Sequence, residues 1–369
     1  MATIKMKLIS VAATTKAAAA TVSRKRKVLT PKTTDVHIHD VALPMSALLA
    51  DPEFDPSYLS AKNPHPLDAS IRFVEATHKY YVAFSPDADF VTEHVISTSG
   101  MVHAYFVPFD ADAIIAKMGA KSRSSPKYRG MSAQQIKDSW TANGNKASSE
   151  GTRFHFVLEC SWNGLDLQPF KQFKVVQQYL HWKTTVLDPM DVIPFRSEQR
   201  MRTGLKHRLT GTADMLFAHR VQPDARVLKL VMVDWKFSKE IKRSNFFSQG
   251  IGVCNAMDDC NYNHYLLQQN IYKYMLQTYY KHWKYSGIVY ETVEITSMHL
   301  AIFHDERDTY ESIVLPDVQP LVVQLFEDRA EQVDRLVSVI HTADTTGGGG
   351  GGATPNAVSA TPNAVSATP

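Results

Sequence analysis

Residues Leu230–Lys239 read LVMVDWKFSK. Four apolar residues run into Asp234, and Lys236 follows two positions later. An apolar run of this length, ending in a charged pair, predicts a central strand of a sheet. Side chains alternate along a strand. Asp234 and Lys236 therefore share one face, about 7 Å apart along the backbone, and Trp235 points to the other, where an indole can pack. An acid and a lysine in that register can grip a metal and a water together. Standing alone, the pair also reads as an ion pair at a strand end.

Outward from this stretch, the pattern predicts strands and helices in turn. LTGTADMLFAHR (209–220) and RVLKLVMVDWKFS (226–238) read as two strands joined at VQPDA. If they pair as a hairpin, Asp214 comes near Asp234. Two carboxylates on one point repel, and a cation between them relieves this; Mg²⁺ takes oxygen ligands at about 2.1 Å. Upstream, SIRFVEATHKYYVAF (70–84) alternates like a hairpin, and DADAIIAKM, the segment from Ser132 to Cys160 and residues 170–185 read as helices. Downstream, NHYLLQQNIYKYMLQTYYKHW is an amphipathic helix. EITSMHLAIFHD and YESIVLP follow as strands, and LVVQLFEDRAEQVDRLVSVI closes the chain as a helix. The order predicts an α/β fold with a mixed sheet flanked by helices.

The chain has 369 residues and is 44% hydrophobic, enough for one large domain or two small ones. No apolar run approaches the ~20 residues of a membrane span, so no membrane partner is expected. Three cysteines, Cys160, Cys254 and Cys260, lack zinc-finger spacing and cannot supply a four-cysteine iron–sulfur cluster. Residues 1–34 hold eight of the 40 Lys and Arg and no acid. The rest has 32 basic against 37 acidic residues, a net −5. Nucleic acid would therefore have to bind through a local basic groove. Arg200, Arg202, Lys206 and Arg208, with Lys239, Lys242 and Arg243, are candidates for it.

Residues 1–60 read as a basic arm or a targeting segment. SRKRK (23–27) fits a nuclear signal, and the acid-free stretch suits a mitochondrial presequence. Residues 61–343 form the expected folded domain. Residues 344–369, with six glycines and a seven-residue ATPNAVS repeat, read as a disordered tail.

Other candidate site residues fall in order along the chain. His155 and Glu159 lie four apart in GTRFHFVLE, on one face of a helix. Glu198 stands in FRSEQRM, ahead of the Asp214 strand. Gln268 and Tyr272 lie four apart in QQNIY, where one helix face can hold a phosphate or a DNA strand. A helix with GTxxH, then Glu, GxxD, DxK and QxxxY resembles the RecB-like exonuclease branch of the PD-(D/E)XK nuclease superfamily. It is similar to viral RecB-like nucleases of large DNA viruses and to mitochondrial genome maintenance exonucleases. The resemblance covers about residues 70–315 and includes VISTSGMVHAYFVPFDADAII.

The resemblance implies a restriction-endonuclease-like core and Mg²⁺-dependent hydrolysis of DNA, with Mn²⁺ able to substitute, in repair, recombination or genome processing. It makes His155, Asp214 and Asp234 metal ligands, with the Trp235 carbonyl as a fourth. Lys236 would position or activate the attacking water, and Glu198 would support the site or a second metal. Gln268 and Tyr272 would line the DNA path, flanked by Arg200, Arg202 and Lys239. The nucleus, the mitochondrion or a viral factory in the cytoplasm would be its compartment. Two departures stand out: Phe237 follows the lysine where Thr is common, and Ala213 precedes Asp214, so no literal PD is present.

Two other classes fit parts of the sequence. A nuclease fold that has lost its chemistry can serve as a DNA-binding module. DVHIHD (35–40) places Asp35, His37 and His39 as an amidohydrolase-like HxH metal pair, although no eightfold strand–helix alternation accompanies it. No Walker A motif occurs, so any helicase or recombinase would be a separate partner.

Overall fold

In the computed structural model, which describes residues 55–346, the LVMVD run lies within an 11-residue strand, β6 (Val227–Phe237). Its neighbours are β5 (Leu209–His219), antiparallel, and β9 (Thr292–Phe303), parallel. β10 (Glu311–Val314) extends the β9 side, and β4 (Val192–Arg202) lies antiparallel along β5. A two-residue strand, β3 (Ile96–Ser97), pairs parallel with Leu209 and Thr210 at the start of β5. These six strands make one mixed sheet. Beside it stand the hairpins β1–β2 (Ile71–Val74, Lys79–Val82) and β7–β8 (Trp283–Tyr285, Ile288–Tyr290).

Alternation along the strands divides the core into two layers. Leu228, Leu230 and Met232 of β6 join Leu216, Ala218, Leu300 and Ile302 on one face. There they pack with Leu267, Ile271 and Met275 of one helix (Asn261–Tyr279) and Val322, Leu325 and Phe326 of another (Gln319–Thr346). Val231, Val233 and Trp235 face the opposite layer with Met215, Phe217, Ala301 and Phe303. That layer is closed by Phe154, Val157 and Leu158 of a 30-residue helix (Ala133–Trp162) and by Val175, Val176, Tyr179 and Trp182 of a shorter one (Lys174–Trp182). In chain order, the helices are α1 (Tyr58–Lys62), α2 (Thr98–His103), α3 (Ala111–Lys117), α4 (Ala120–Arg123), α5 (Ala133–Trp162), α6 (Lys174–Trp182), α7 (Asn261–Tyr279) and α8 (Gln319–Thr346). The fold is α/β, a central mixed sheet flanked by helices, as expected. Among the described residues, no helix is long and apolar enough to cross a membrane.

Local chemistry explains where the elements begin. Ser132 caps α5 through a reciprocal box: its hydroxyl accepts from the Gln135 N–H at 3.2 Å, and the Gln135 side chain accepts from the Ser132 N–H at 2.7 Å. Trp235 is edge-on to Tyr179 and Trp182, at 5.9 and 5.3 Å between ring centroids, and so anchors β6 from behind.

Three expectations need correction. The sequence pattern predicts no strand at 192–202, yet β4 runs the full span. Its buried positions include Arg196, Ser197, Gln199 and Arg202, so it carries no apolar alternation. Arg196 donates to Asp68 at 2.7 Å and to the Asn63 carbonyl at 3.2 Å, and Asn163 donates to the Ser197 hydroxyl at 2.9 Å. Second, α1 places Tyr58–Ser60 inside the fold: Leu59 is buried and its N–H donates to Asn163 at 2.9 Å. Third, α8 continues to Thr346, past the expected boundary at 343. The SRKRK and DVHIHD motifs, with Asp35, His37 and His39, and the ATPNAVS repeats lie outside the described residues.

Gly211 of the GTAD segment has a clear steric duty. A Cβ there would stand 2.5 Å from Tyr272 Cε1 and 2.8 Å from Thr98 Oγ1. Gly211→Ala should therefore destabilise the fold by about 1–3 kcal/mol in urea denaturation, the usual cost of overpacking. Adding Tyr272→Leu should recover part of it.

Candidate functional site

The site starts from a gap in the sheet. β4 covers one edge of β5 from Thr210 to His219. The other edge is shared: β3 takes Leu209–Thr210, and β6 takes Met215–Ala218. Among the described residues, Gly211–Asp214 have no strand partner on that side. Instead, Asp214 Oδ2 accepts the Trp235 N–H at 2.8 Å. A side chain thus completes the ladder where the two strands diverge, and the continued register sets Asp214 opposite Asp234.

Asp234 is buried. Its Oδ1 accepts from Gln269 Nε2 of α7 at 2.8 Å. Its Oδ2 lies 2.6 Å from Lys236 Nζ. The ion pair that a DxK motif suggests by itself is therefore formed, inside a larger cluster. The Lys236 ammonium also lies 4.5 Å from the centre of the Tyr265 ring. His155 Nδ1 of α5 approaches Asp214 Oδ2 to 3.5 Å. Glu198 falls between the pairs Ser197↔Met215 and Gln199↔Ala213, facing Asp214 across the ladder. Donor atoms of His155, Glu198 and Asp214 all lie within 4.8 Å of one another.

The electrostatics follow from burial. Burial raises the Asp234 carboxyl to about 6; Lys236 opposes the rise and Asp214 adds to it. Asp214 is raised by the same loss of water, with Lys236 and the Trp235 N–H pulling it down. Burial alone would lower Lys236, but Asp234 and Asp214 override it and hold the ammonium above the ordinary lysine range. Burial, then Lys236, push His155 down to about 4, so its imidazole is neutral at pH 7 and keeps a lone pair to offer. Carboxylates that resist ionisation and a neutral histidine, with donor atoms of His155, Glu198 and Asp214 within 4.8 Å of one another, are the kind of donor set a hard divalent cation takes.

Of the residues expected to act together, His155, Glu198 and Asp214 come within 4.8 Å of one another, and the Asp234–Lys236 pair stands on the adjoining strand. The Trp235 backbone neighbours His155, while its indole faces the opposite layer. Others sit differently. Tyr272 is buried against Gly211, and Gln268 donates to its hydroxyl at 3.2 Å, so Tyr272 shapes the wall behind the acids instead of lining an open path. Arg202 turns inward, donating to Ser70 Oγ at 2.7 Å and to the Thr203 carbonyl at 3.3 Å. Lys239 is paired with Glu306, and Arg243 with Glu311 at 3.3 Å. Arg200 is exposed, its guanidinium 6.0 Å from the Phe73 ring centre.

Sequence reasoning missed Gln269 and Tyr265. They are four apart on α7 and thus share a face, the signal that would have found them. It also missed Tyr80, whose hydroxyl is 2.7 Å from Thr212 Oγ1.

No family model matches the chain, and no curated protein matches it. Among solved structures, one described as "Crystal structure of SSO0001" is similar, with 12% identity and a TM-score of 0.23, covering 66% of this chain and 79% of that one. Likeness at that level carries no argument about fold or function.

Glu198 has φ +45°, left-handed backbone inside a strand. For a residue with a Cβ this costs roughly 1–2 kcal/mol, a penalty glycine avoids. Glu198→Gly should therefore be more stable than Glu198→Ala by about 1 kcal/mol in chemical denaturation, although both lack the carboxylate. Equal stabilities would show that the strand relaxes without strain.

Proposed function

We propose that this chain is a metal-dependent nuclease of the PD-(D/E)XK type that hydrolyses DNA phosphodiester bonds, acting as an exonuclease in repair, recombination or genome processing. One observation carries the reading: His155, Glu198 and Asp214 bring donor atoms within 4.8 Å of one another, beside the Asp234–Lys236 pair of the adjoining strand, although these residues come from three strands and a helix. Structural ion pairs need two partners; this cluster assembles three carboxylates, one lysine and one neutral imidazole.

Asp214, Asp234, Glu198 and His155 would hold Mg²⁺, or Mn²⁺ in its place, with the Trp235 carbonyl alongside. When bound, the ion would supply Lewis-acid polarisation of the phosphoryl oxygen and would make water a better nucleophile. The chain's own groups do the rest. Lys236 keeps its proton beside two aspartates, so it acts as a fixed positive charge on the attacked phosphate and not as a base. Gln269 holds Asp234 in one orientation through Oδ1, while Oδ2 faces the Lys236 ammonium at 2.6 Å. Tyr265 and the Tyr272–Gly211 wall exclude water from behind, which strengthens each of these charges.

The test is cleavage of end-labelled linear and closed circular DNA, single- and double-stranded, with Mg²⁺ or Mn²⁺. Linear DNA should be degraded and the circle spared. Asp234→Ala should abolish the reaction, and Lys236→Ala should slow it about 10²–10³-fold, by analogy with removal of one oxyanion donor. Both should retain the wild-type circular dichroism spectrum. Wild-type turnover by Lys236→Ala would overturn the mechanism. Tight DNA binding without cleavage would identify a silent DNA-binding module.

Acid should act through Asp234. A proton and the cation compete for its carboxylate, whose pKa lies at about 6. Apparent Mg²⁺ affinity, read by thermal shift, should hold above that pH and fall about tenfold per unit below it. His155 stays neutral down to about 4 and does not set this limit. Affinity flat from pH 7 to 5 would exclude Asp234 as a ligand.

A further inference from the structure

Of the basic residues expected to form a groove near Lys236, Arg202 is buried and Lys239 and Arg243 face glutamates. A different cationic surface stands free. Between Lys117 and Arg129 the chain carries Lys117, Lys121, Arg123, Lys127 and Arg129 and no acid. All five are exposed, and within the described residues none forms an ion pair. Arg129 Nε donates to the Ser124 carbonyl at 3.3 Å, and Lys127 lies 5.1 Å from the Tyr128 ring centre; neither interaction neutralises charge.

This segment is held in place. Ile115, Tyr128 and Ile136 form a small core of their own, with Met118, Met131 and Trp140 packed around it. Trp140 Nε1 of α5 donates to the Tyr128 hydroxyl at 3.0 Å, and Gly130 turns the chain back at φ +75°. Five like charges fixed on such a platform repel one another, a cost that a polyanion removes. The body of the protein carries net negative charge, so the attraction is local to this surface.

The helix that supports the segment also carries His155. From Trp140 to His155 is 15 residues of α5, about 22 Å along its axis at 1.5 Å per residue. A DNA strand rises 3.4 Å per base pair, so the two points are roughly six to seven base pairs apart. We propose that Lys117–Arg129 is a phosphate clamp for double-stranded DNA, gripping the duplex backbone about six to seven base pairs from the bond to be cut. This rests on the nuclease reading for its substrate. The binding itself can be tested without cleavage.

The experiment uses the full chain with Ca²⁺ in place of Mg²⁺ to withhold cleavage, and a labelled 30-base-pair duplex as probe. Lys121→Glu/Arg123→Glu/Lys127→Glu should bind at least tenfold more weakly. The slope of log affinity against log salt should fall by about 2–3, near 0.9 for each phosphate no longer neutralised. The milder Lys121→Gln/Arg123→Gln/Lys127→Gln should weaken binding less, in the same direction, which separates charge from misfolding. Mn²⁺-dependent hydrolysis of bis(p-nitrophenyl) phosphate, too small to reach the clamp, should be unchanged in both. Wild-type affinity and salt slope in the triple variants would overturn the clamp. So would variants that bind duplex normally but no longer bind phosphatidylserine vesicles, which would assign the surface to a membrane. Failure of the nuclease reading looks different: the wild-type chain would hydrolyse neither DNA nor the small diester.

Discussion

Asp234 is a carboxylate in the middle of a sheet whose neighbours on both faces are apolar, and the surrounding structure answers that placement. Burial of an unpaired charge costs several kcal/mol, and groups from β6 and α7 compensate Asp234. Lys236 comes from the same strand, Gln269 from α7 and the aromatic face of Tyr265 from one turn earlier on that helix. Asp214 is held in turn by the Trp235 backbone, so the two acids are locked through one short segment of β6. The arrangement compensates the acids but does not relax them: both carboxyls still resist ionisation. A set of groups under that tension is stable in the fold and also ready to accept a further positive charge.

Much of the architecture is legible in the sequence because it depends on burial. β5, β6, β9 and α7 announce themselves by apolar alternation or by helical period, and β6 ends in its charged pair as the LVMVDWK run suggests. β4 is silent because Arg196, Ser197, Gln199 and Arg202 are buried in it alongside Phe195 and Met201, several of them satisfied by distant partners such as Asp68, Asn163 and Ser70. Alternation cannot reveal a strand whose buried groups are polar. That hidden strand is the one that presents Glu198.

The site was readable to the level of residue type and order, and less so in detail. Gln268 and Gln269 are adjacent, and only the rotation of α7 decides which meets Asp234. Tyr272 fits an exposed reading frame as well as a buried one; the missing Cβ of Gly211 is what admits its ring. Charges mislead for a related reason. Lys239 and Arg243 lie close in sequence to Lys236, but the acids that quench them, Glu306 and Glu311, lie more than 60 residues further on, beyond the end of β9. Lys117–Arg129 keeps its charge because no acid occurs in the segment and, among the described residues, none pairs with it.

The spacing of the cluster along the chain has a consequence for synthesis. His155, Glu198, Asp214, Asp234 and Gln269 span 155 to 269, and β6 gains its parallel neighbour β9 only after residue 292. A growing polypeptide acquires Asp214 and Asp234 on one hairpin but not yet the strand that covers the far side of β6. The flank of Asp234 therefore waits on β9, so a chain that stops before residue 292 lacks the strand that pairs along Asp234–Lys236.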